Sequence, residues 1–231
     1  MNSSKIIFLT ILLLSGSICS AQKLTELEYA TFTTGEMKSA GFIDERSYGI
    51  IGDLATNKFL GTGFVVTKSD LIITADHVVD NYTKIVYIPG GSSEKIPLEI
   101  IKRFPEYDLA VLRSSKKITD KPLKIAKYKK VKVKDPLMYV AYDLKRKEFI
   151  KACSIIKIIG KAYYNFSPFV FDCFTFPGQA KGGYSGSPVF NTKCEVIGII
   201  QSYSISKNPN TDSEKIVVSG VSLEPIYKQI K

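Results

Sequence analysis

The apolar positions of this chain fall in short runs rich in β-branched and aromatic residues, broken at short intervals by Gly, Pro, Asn and Ser-Asp. Runs of that length and composition read as strands rather than helices. The pattern predicts strands over 48–54, 58–66, 71–74, 84–88, 98–104 and 109–113, with a turn at Pro89-Gly90-Gly91-Ser92-Ser93. A second set is expected over 137–142, 148–159, 168–176, 188–190, 196–203 and 216–221. Residues 115–134, between the sets, are charged and poor in large apolar groups, and read as a linker. Ser222 is placed to cap a short helix over 223–230, where Ile226 and Ile230 lie on one face. Regularly spaced short strands mean an all-β sandwich or barrel. No repeat or low-complexity tract interrupts them.

The start of the chain departs from this pattern. Lys5 precedes an apolar run over 6–14 that is too short to span a bilayer, and Cys19-Ser20-Ala21 supplies small residues for cleavage. Residues 1–21 are therefore expected to be a signal peptide cut after Ala21, which implies a secreted or periplasmic protein. Acylation at Cys19 is the lesser alternative, weakened by the bulky Ile18 before it. Residues 22–47 are mixed and polar, and read as an N-terminal arm or propeptide. The body is then expected in two parts, 48–114 and 135–231.

Composition narrows the partners. The net charge is +10 and lysine dominates it, concentrated over 116–134 and at Lys145-Arg146-Lys147. Aromatic residues do not interleave with these lysines and no DNA-binding motif occurs, so nucleic acid is not an expected partner. The charge reads as a solvated surface that permits weak attraction to anionic surfaces. Beyond residue 21 the cysteines are Cys153, Cys173 and Cys194, an odd number. Cys153 and Cys173 facing each other across a hairpin, and three buried thiols, are both open readings. No CxxC or Cys/His cluster exists, so no metal and no cofactor are expected.

The chemistry is concentrated in Gly182-Gly183-Tyr184-Ser185-Gly186-Ser187-Pro188. Three glycines in five residues and a closing proline make a tight loop, and Val189-Phe190 leads from it into a buried strand. A serine on such a loop can act as a nucleophile, with the Gly183 and Ser185 N–H groups facing a developing oxyanion. A glycine-rich hairpin with an incidental serine is the plainer reading. The chain also has a single histidine, His77, in Thr74-Ala75-Asp76-His77, and an aspartate, Asp108, before Leu109-Ala110-Val111-Leu112.

The order His, Asp, Ser and these three motifs resemble the bacterial chymotrypsin-like (trypsin-like) serine peptidases. The likeness is nearer to the glutamyl-endopeptidase and periplasmic heat-shock-protease branches than to digestive trypsins, and covers roughly residues 48–225. It implies two six-stranded antiparallel barrels with the active site between them. It also implies catalytic residues His77, Asp108 and Ser185, an oxyanion hole at Gly183 and Ser185, and an acyl-enzyme at Ser185. No PDZ domain is expected after residue 222. Asp76 is a rival for Asp108, but its side chain should point away from the imidazole. Ser187 is a rival for Ser185, one step past the oxyanion pair. Protein or peptide substrates follow. The alternative function is a catalytically silent or self-processing relative that acts as a binding protein.

Two departures from the family pattern bear on specificity and activation. Tyr184 stands where activated digestive peptidases carry the aspartate that pairs with a new N-terminal amine. A phenol is neutral near pH 7, so that ion pair is excluded and the loop must be shaped by other means. The pocket floor, six residues before the serine in those enzymes, is Gln179 here, with Lys181 nearby; Ile200, Gln201 and Ser202 would line the strand side. Cleavage after Lys or Arg is therefore expected to be poor, with neutral or acidic residues preferred.

Overall fold

The computed structural model describes residues 43–162, 170–207 and 214–230. The expected signal peptide and most of the arm lie outside them.

Six strands close into an antiparallel barrel. They are β1 (Tyr48–Asp53), β2 (Lys58–Val65), β3 (Leu71–Thr74), β4 (Ile85–Pro89), β5 (Ile96–Phe104) and β6 (Leu109–Ser114). Their order is β1-β2-β3-β6-β5-β4, and β4 returns to β1. A short helix absent from the sequence reading, α1 (Asp76–Val79), leaves the end of β3. Alternate side chains fill the interior, among them Ile51, Phe64, Ile72 and Leu112, all fully buried.

The second half holds β7 (Pro136–Asp143), β8 (Glu148–Ile155), β9 (Ile158–Ala162), β10 (Phe171–Pro177), β11 (Pro188–Phe190), β12 (Val196–Lys207) and β13 (Glu214–Ser222). They form one sheet in the order β8-β7-β11-β12-β13-β10-β9. Its two edge strands, β8 and β9, are consecutive in the chain and separated only by Ile156 and Lys157. The Ile156 carbonyl still accepts from Lys134 N–H on the β7 side, at 2.8 Å. The Lys157 N–H already donates to Thr175 in β10, at 2.8 Å. The single strand expected over 148–159 thus bends and changes partner. Counting β8 and β9 as one bent strand, six strands ring the second core, because a barrel this small closes only if its strands coil.

The cores meet. Val140, Phe171, Phe190, Ile199 and Val221 of the second sheet pack in the same buried cluster as the first barrel's interior. Tyr139, Phe174, Phe176 and Val189 fill the second barrel separately. A run of rings borders the interface: Tyr48 to Phe149 at 4.9 Å between centroids, Phe149 to Tyr142 at 5.1 Å, and Tyr142 to Phe59 at 5.3 Å.

The segment between the barrels is part of both. Leu123 bridges Val66 in parallel, and its N–H donates to Val65 at 2.8 Å. Ile125 bridges Val196, and Ala126 N–H donates to the Val196 carbonyl at 2.8 Å. Ile118, Leu123 and Tyr128 are buried, so a few apolar anchors suffice in an otherwise charged stretch. The end of the arm also docks here: Ser47 Oγ donates to the Lys121 carbonyl at 2.6 Å and Arg46 Nε to that of Ile118 at 2.8 Å.

The C-terminal helix is shorter than the spacing suggested. It is a 3-10 helix over Glu224–Ile226, with Ser222 Oγ accepting from Glu224 N–H at 3.0 Å. Ile226, Tyr227 and Gln229 each donate three residues back rather than four. Ile226 and Ile230 both pack into the core, and that packing sets the path in place of the expected α-helix.

Leu123→Ala tests whether the linker belongs to the fold. Urea unfolding should show a loss of roughly 2–4 kcal/mol, the range for emptying a buried leucine site. A loss under about 0.5 kcal/mol, typical of surface changes, would contradict it.

Candidate active site

His77 stands on α1, directly after β3, and Asp108 stands in the turn before β6. β3 and β6 are paired, with Thr74 opposite Ala110, which brings the two residues together. Asp108 is fully buried and has φ of 53°, a left-handed conformation that Asp tolerates better than most residues. That turn aims its carboxylate back at α1. Oδ1 accepts the backbone N–H of His77 at 3.0 Å, while Oδ1 and Oδ2 lie 3.0 and 2.8 Å from His77 Nδ1. The Asp108 carbonyl accepts from Asp76 N–H at 3.1 Å. One residue therefore fixes both the backbone and the ring of His77. An Nδ1–H that donates to the carboxylate leaves the Nε2 lone pair free.

The imidazole keeps 33% of its side-chain surface exposed. Burial lowers its pKa and is the largest single influence. The Asp108 hydrogen bond and the charges of Asp108, Asp76 and Asp80 together outweigh burial, so the pKa ends above the ordinary histidine value.

The Asp76 carboxylate meets Arg103 of β5. Arg103 Nε and Nη2 donate to its two oxygens at 2.6 and 2.8 Å, and Nη2 also pairs with Asp80. Arg103 thus holds α1 at both ends and balances two carboxylates beside His77.

Ser185 belongs to the second barrel but is tied to the first. The Thr62 N–H in β2 donates to the Ser185 carbonyl at 2.9 Å, and Thr62 Oγ1 donates to the Gly183 carbonyl at 3.1 Å. Thr74 Oγ1, three residues before His77, donates to the Thr62 carbonyl at 2.7 Å. Gly186 has φ of 82°, and a Cβ there would collide with the Thr62 carbonyl and lie 3.1 Å from Ala75 N. Only glycine lets the loop approach the end of β3 so closely. On the other side, Gly186 N–H donates to the Ile200 carbonyl at 2.8 Å.

The Ser185 hydroxyl donates to the Gln201 carbonyl at 3.4 Å, and among the described residues no hydrogen bond joins it to His77. Ser187 is fully buried, its hydroxyl without a partner among the described residues, whereas Ser185 is part-exposed. The N–H groups of Gly183 and Ser185 have no partner among the described residues. Gly183, with φ of 99°, lies against the Phe59 ring at the end of the aromatic run.

The residues expected to form the pocket are dispersed in exposure. Gln179 is exposed and its backbone is gripped by Tyr139 Oη. Lys181 is exposed, and its Nζ pairs with the buried Asp143 carboxylate at 2.9 Å. Ile200 and Gln201 are buried, Gln201 with its Nε2 unpartnered, and Ser202 is part-exposed. Among the described residues Cys153, Cys173 and Cys194 form no disulfide, so the expected alternatives resolve against a Cys153–Cys173 bridge.

Thr62, Thr74, Arg103, Phe59 and Asp143 were not singled out from the sequence. Thr62 carries a signal in retrospect, a hydroxyl residue flanked by Gly61 and Gly63 inside a strand. The others are assembled by tertiary contacts that local pattern does not encode.

Comparison with known proteins gives a consistent picture. The trypsin-like peptidase domain family matches residues 61–199. No curated protein matches the chain by sequence. Among solved structures, the active form of the Rv3671c protease from M. tuberculosis is similar, with TM-score 0.64 at 18% identity, covering 93% of each chain. The HtrA-type protease AlgW, solved with a decapeptide, gives 0.66 at 13% identity, over 84% of this chain and 65% of that one. The MamO protease domain from Magnetospirillum magneticum gives 0.60 at 14%, over 81% and 97%. At such identities the likeness establishes the fold.

The single histidine makes the electrostatics directly measurable. Its NMR titration midpoint should lie above about 6.5, the ordinary value, because Asp108 favours the imidazolium. Asp108→Asn removes that charge, and the midpoint should fall. A native midpoint below the ordinary value would contradict the geometry.

Proposed function

Because the chain belongs to the trypsin-like peptidase family, and is by that membership a serine-type endopeptidase, we propose that it cleaves polypeptides through His77, Asp108 and Ser185 by way of an acyl-enzyme. The observation that carries this reading is the bond between His77 Nδ1 and the buried Asp108 carboxylate. With Nδ1–H donating to that carboxylate, the Nε2 lone pair is free on a part-exposed ring, and β3 just before it is tied through Thr74 and Thr62 to the Ser185 loop.

The steps follow from the residue types. Ser185 Oγ turns from the Gln201 carbonyl to Nε2, gives up its proton and attacks the scissile carbonyl carbon. The charge that develops on the carbonyl oxygen is met by the Gly183 and Ser185 N–H groups. Nε2–H then protonates the leaving amine, and Asp108 stabilises the imidazolium meanwhile. Water, activated by the same Nε2, hydrolyses the ester at Ser185. No acid stands at Gln179 or Lys181 to pair with a basic side chain, which favours neutral residues before the cut. AlgW, a protease of similar fold, was solved with a decapeptide, and a peptide or protein substrate is the class proposed for this chain. Export through residues 1–21 completes the proposal, and the mass of the mature N-terminus checks it.

A fluorophosphonate probe should label native protein. Ser185→Ala should abolish labelling and reduce peptidase activity on the order of a million-fold. Ser187→Ala should still be labelled, since that hydroxyl is buried. Asp108→Asn should cost on the order of ten-thousand-fold in kcat. Labelling that survives Ser185→Ala would overturn the assignment, and a native protein that is never labelled would favour a silent relative.

The pH dependence should follow the same ring. A base must be unprotonated, so kcat/KM should fall as pH drops through the His77 midpoint. A pH–rate profile whose acid limb differs from the NMR midpoint by more than about one unit would remove His77 as the base.

A further inference from the structure

Residues 178–186 run from β10 to β11 without strand or helix, so their path is set by side contacts. Toward the first barrel these are the Thr62 bonds and the Phe59 ring. Toward the second, Tyr139 Oη donates to the Gln179 carbonyl at 3.0 Å and accepts its N–H at 3.2 Å. Besides the Gly186 N–H bond to Ile200, a further contact is the ion pair of Lys181 Nζ with Asp143 Oδ2, at 2.9 Å. Asp143 ends β7, and its side chain is 2% exposed. Its Oδ1 accepts the N–H groups of Lys145 and Arg146 at 2.9 and 3.2 Å, so one carboxylate fixes both the β7–β8 turn and Lys181. The Lys181 carbonyl in turn accepts Tyr184 N–H at 3.2 Å. The turn that begins at Lys181 therefore contains Gly183 and ends one residue before Ser185.

We propose that Lys181 and Asp143 are positioning residues whose ion pair anchors the oxyanion turn to the β7–β8 hairpin, shaping it before substrate arrives and without any liberated N-terminus. This rests on the roles given above to Gly183 and Ser185. An ion pair between two exposed side chains would contribute little. Here one partner is buried, so loss of Lys181 leaves a carboxylate that only two backbone N–H groups satisfy.

The residue between the two oxyanion donors is itself packed: Tyr184 is 1% exposed, and its hydroxyl has no partner among the described residues. The Lys181 hydrogen bond holds the Asp143 carboxyl below the usual carboxylate range, so the pair persists wherever His77 titrates.

The test uses full-length protein and the variants Lys181→Met, Asp143→Asn and Lys181→Arg. Lys161→Met is the control, because it breaks the exposed Lys161–Asp172 pair at 2.8 Å, away from the loop. Amide hydrogen exchange over residues 178–186 should be on the order of tenfold faster in Lys181→Met and Asp143→Asn. Their kcat on a peptide substrate should fall about tenfold to a hundredfold, part of the cost of an oxyanion donor, with KM little changed. Lys181→Arg should restore both readings, and Lys161→Met should match native protein. Unchanged exchange in both anchor variants overturns the proposal. Faster exchange with kcat unmoved overturns the link to the oxyanion donors. Faster exchange in a protein that the fluorophosphonate never labels supports the anchor and overturns the reading of Ser185 instead.

Discussion

The site depends on a seam of hydrogen bonds between β2 and the serine loop. Thr62 gives its N–H to the Ser185 carbonyl and its hydroxyl to the Gly183 carbonyl, while its own carbonyl is held by Thr74. The residues proposed for nucleophilic attack are split between the two barrels, His77 and Asp108 on one and Ser185 on the other. The large apolar interface brings the barrels together, but apolar contact is non-directional and leaves them free to slide. Hydrogen bonds have a preferred distance and angle, so a few at the seam set the register that the interface leaves open. Gly186 lets the seam close, since any side chain there would hold the loop off Thr62.

The first barrel solves a second problem, that of keeping a carboxylate buried beside a histidine. Asp108 has no exposed surface, and a buried charge is costly unless hydrogen bonds compensate it. The His77 ring and the His77 backbone N–H supply them. Asp76 and Asp80 add negative charge on α1, and Arg103 binds both. Without that guanidinium, three carboxylates would act on one imidazole with nothing to balance two of them.

Much of this was legible in the sequence because the relevant signals are local. The strand pattern anticipated most strands to within a few residues, and the three motifs pointed to His77, Asp108 and Ser185. What escaped the reading arises from tertiary context. The bend at Ile156-Lys157 has no glycine or proline to mark it, because barrel closure produces it. The linker hid its role since Ile118, Leu123 and Tyr128 are spread thinly among lysines. Helix α1 is too short to show a period, and Lys181 was read for its charge with no means of seeing Asp143 beside it.

The composition of the seam has a consequence for how such a chain can change over time. Of the atoms that join Ser185 and Gly186 to their neighbours, most are main-chain N–H and C=O groups, which every residue but proline supplies in full. Other side chains around them can therefore be exchanged with little effect on the alignment of the two halves, provided glycine stays at 186 and hydroxyl residues stay at 62 and 74. Evolutionary drift is then free to rewrite nearly all of the sequence while the spatial relation of the barrels persists. AlgW has a similar fold, with TM-score 0.66, at 13% identity.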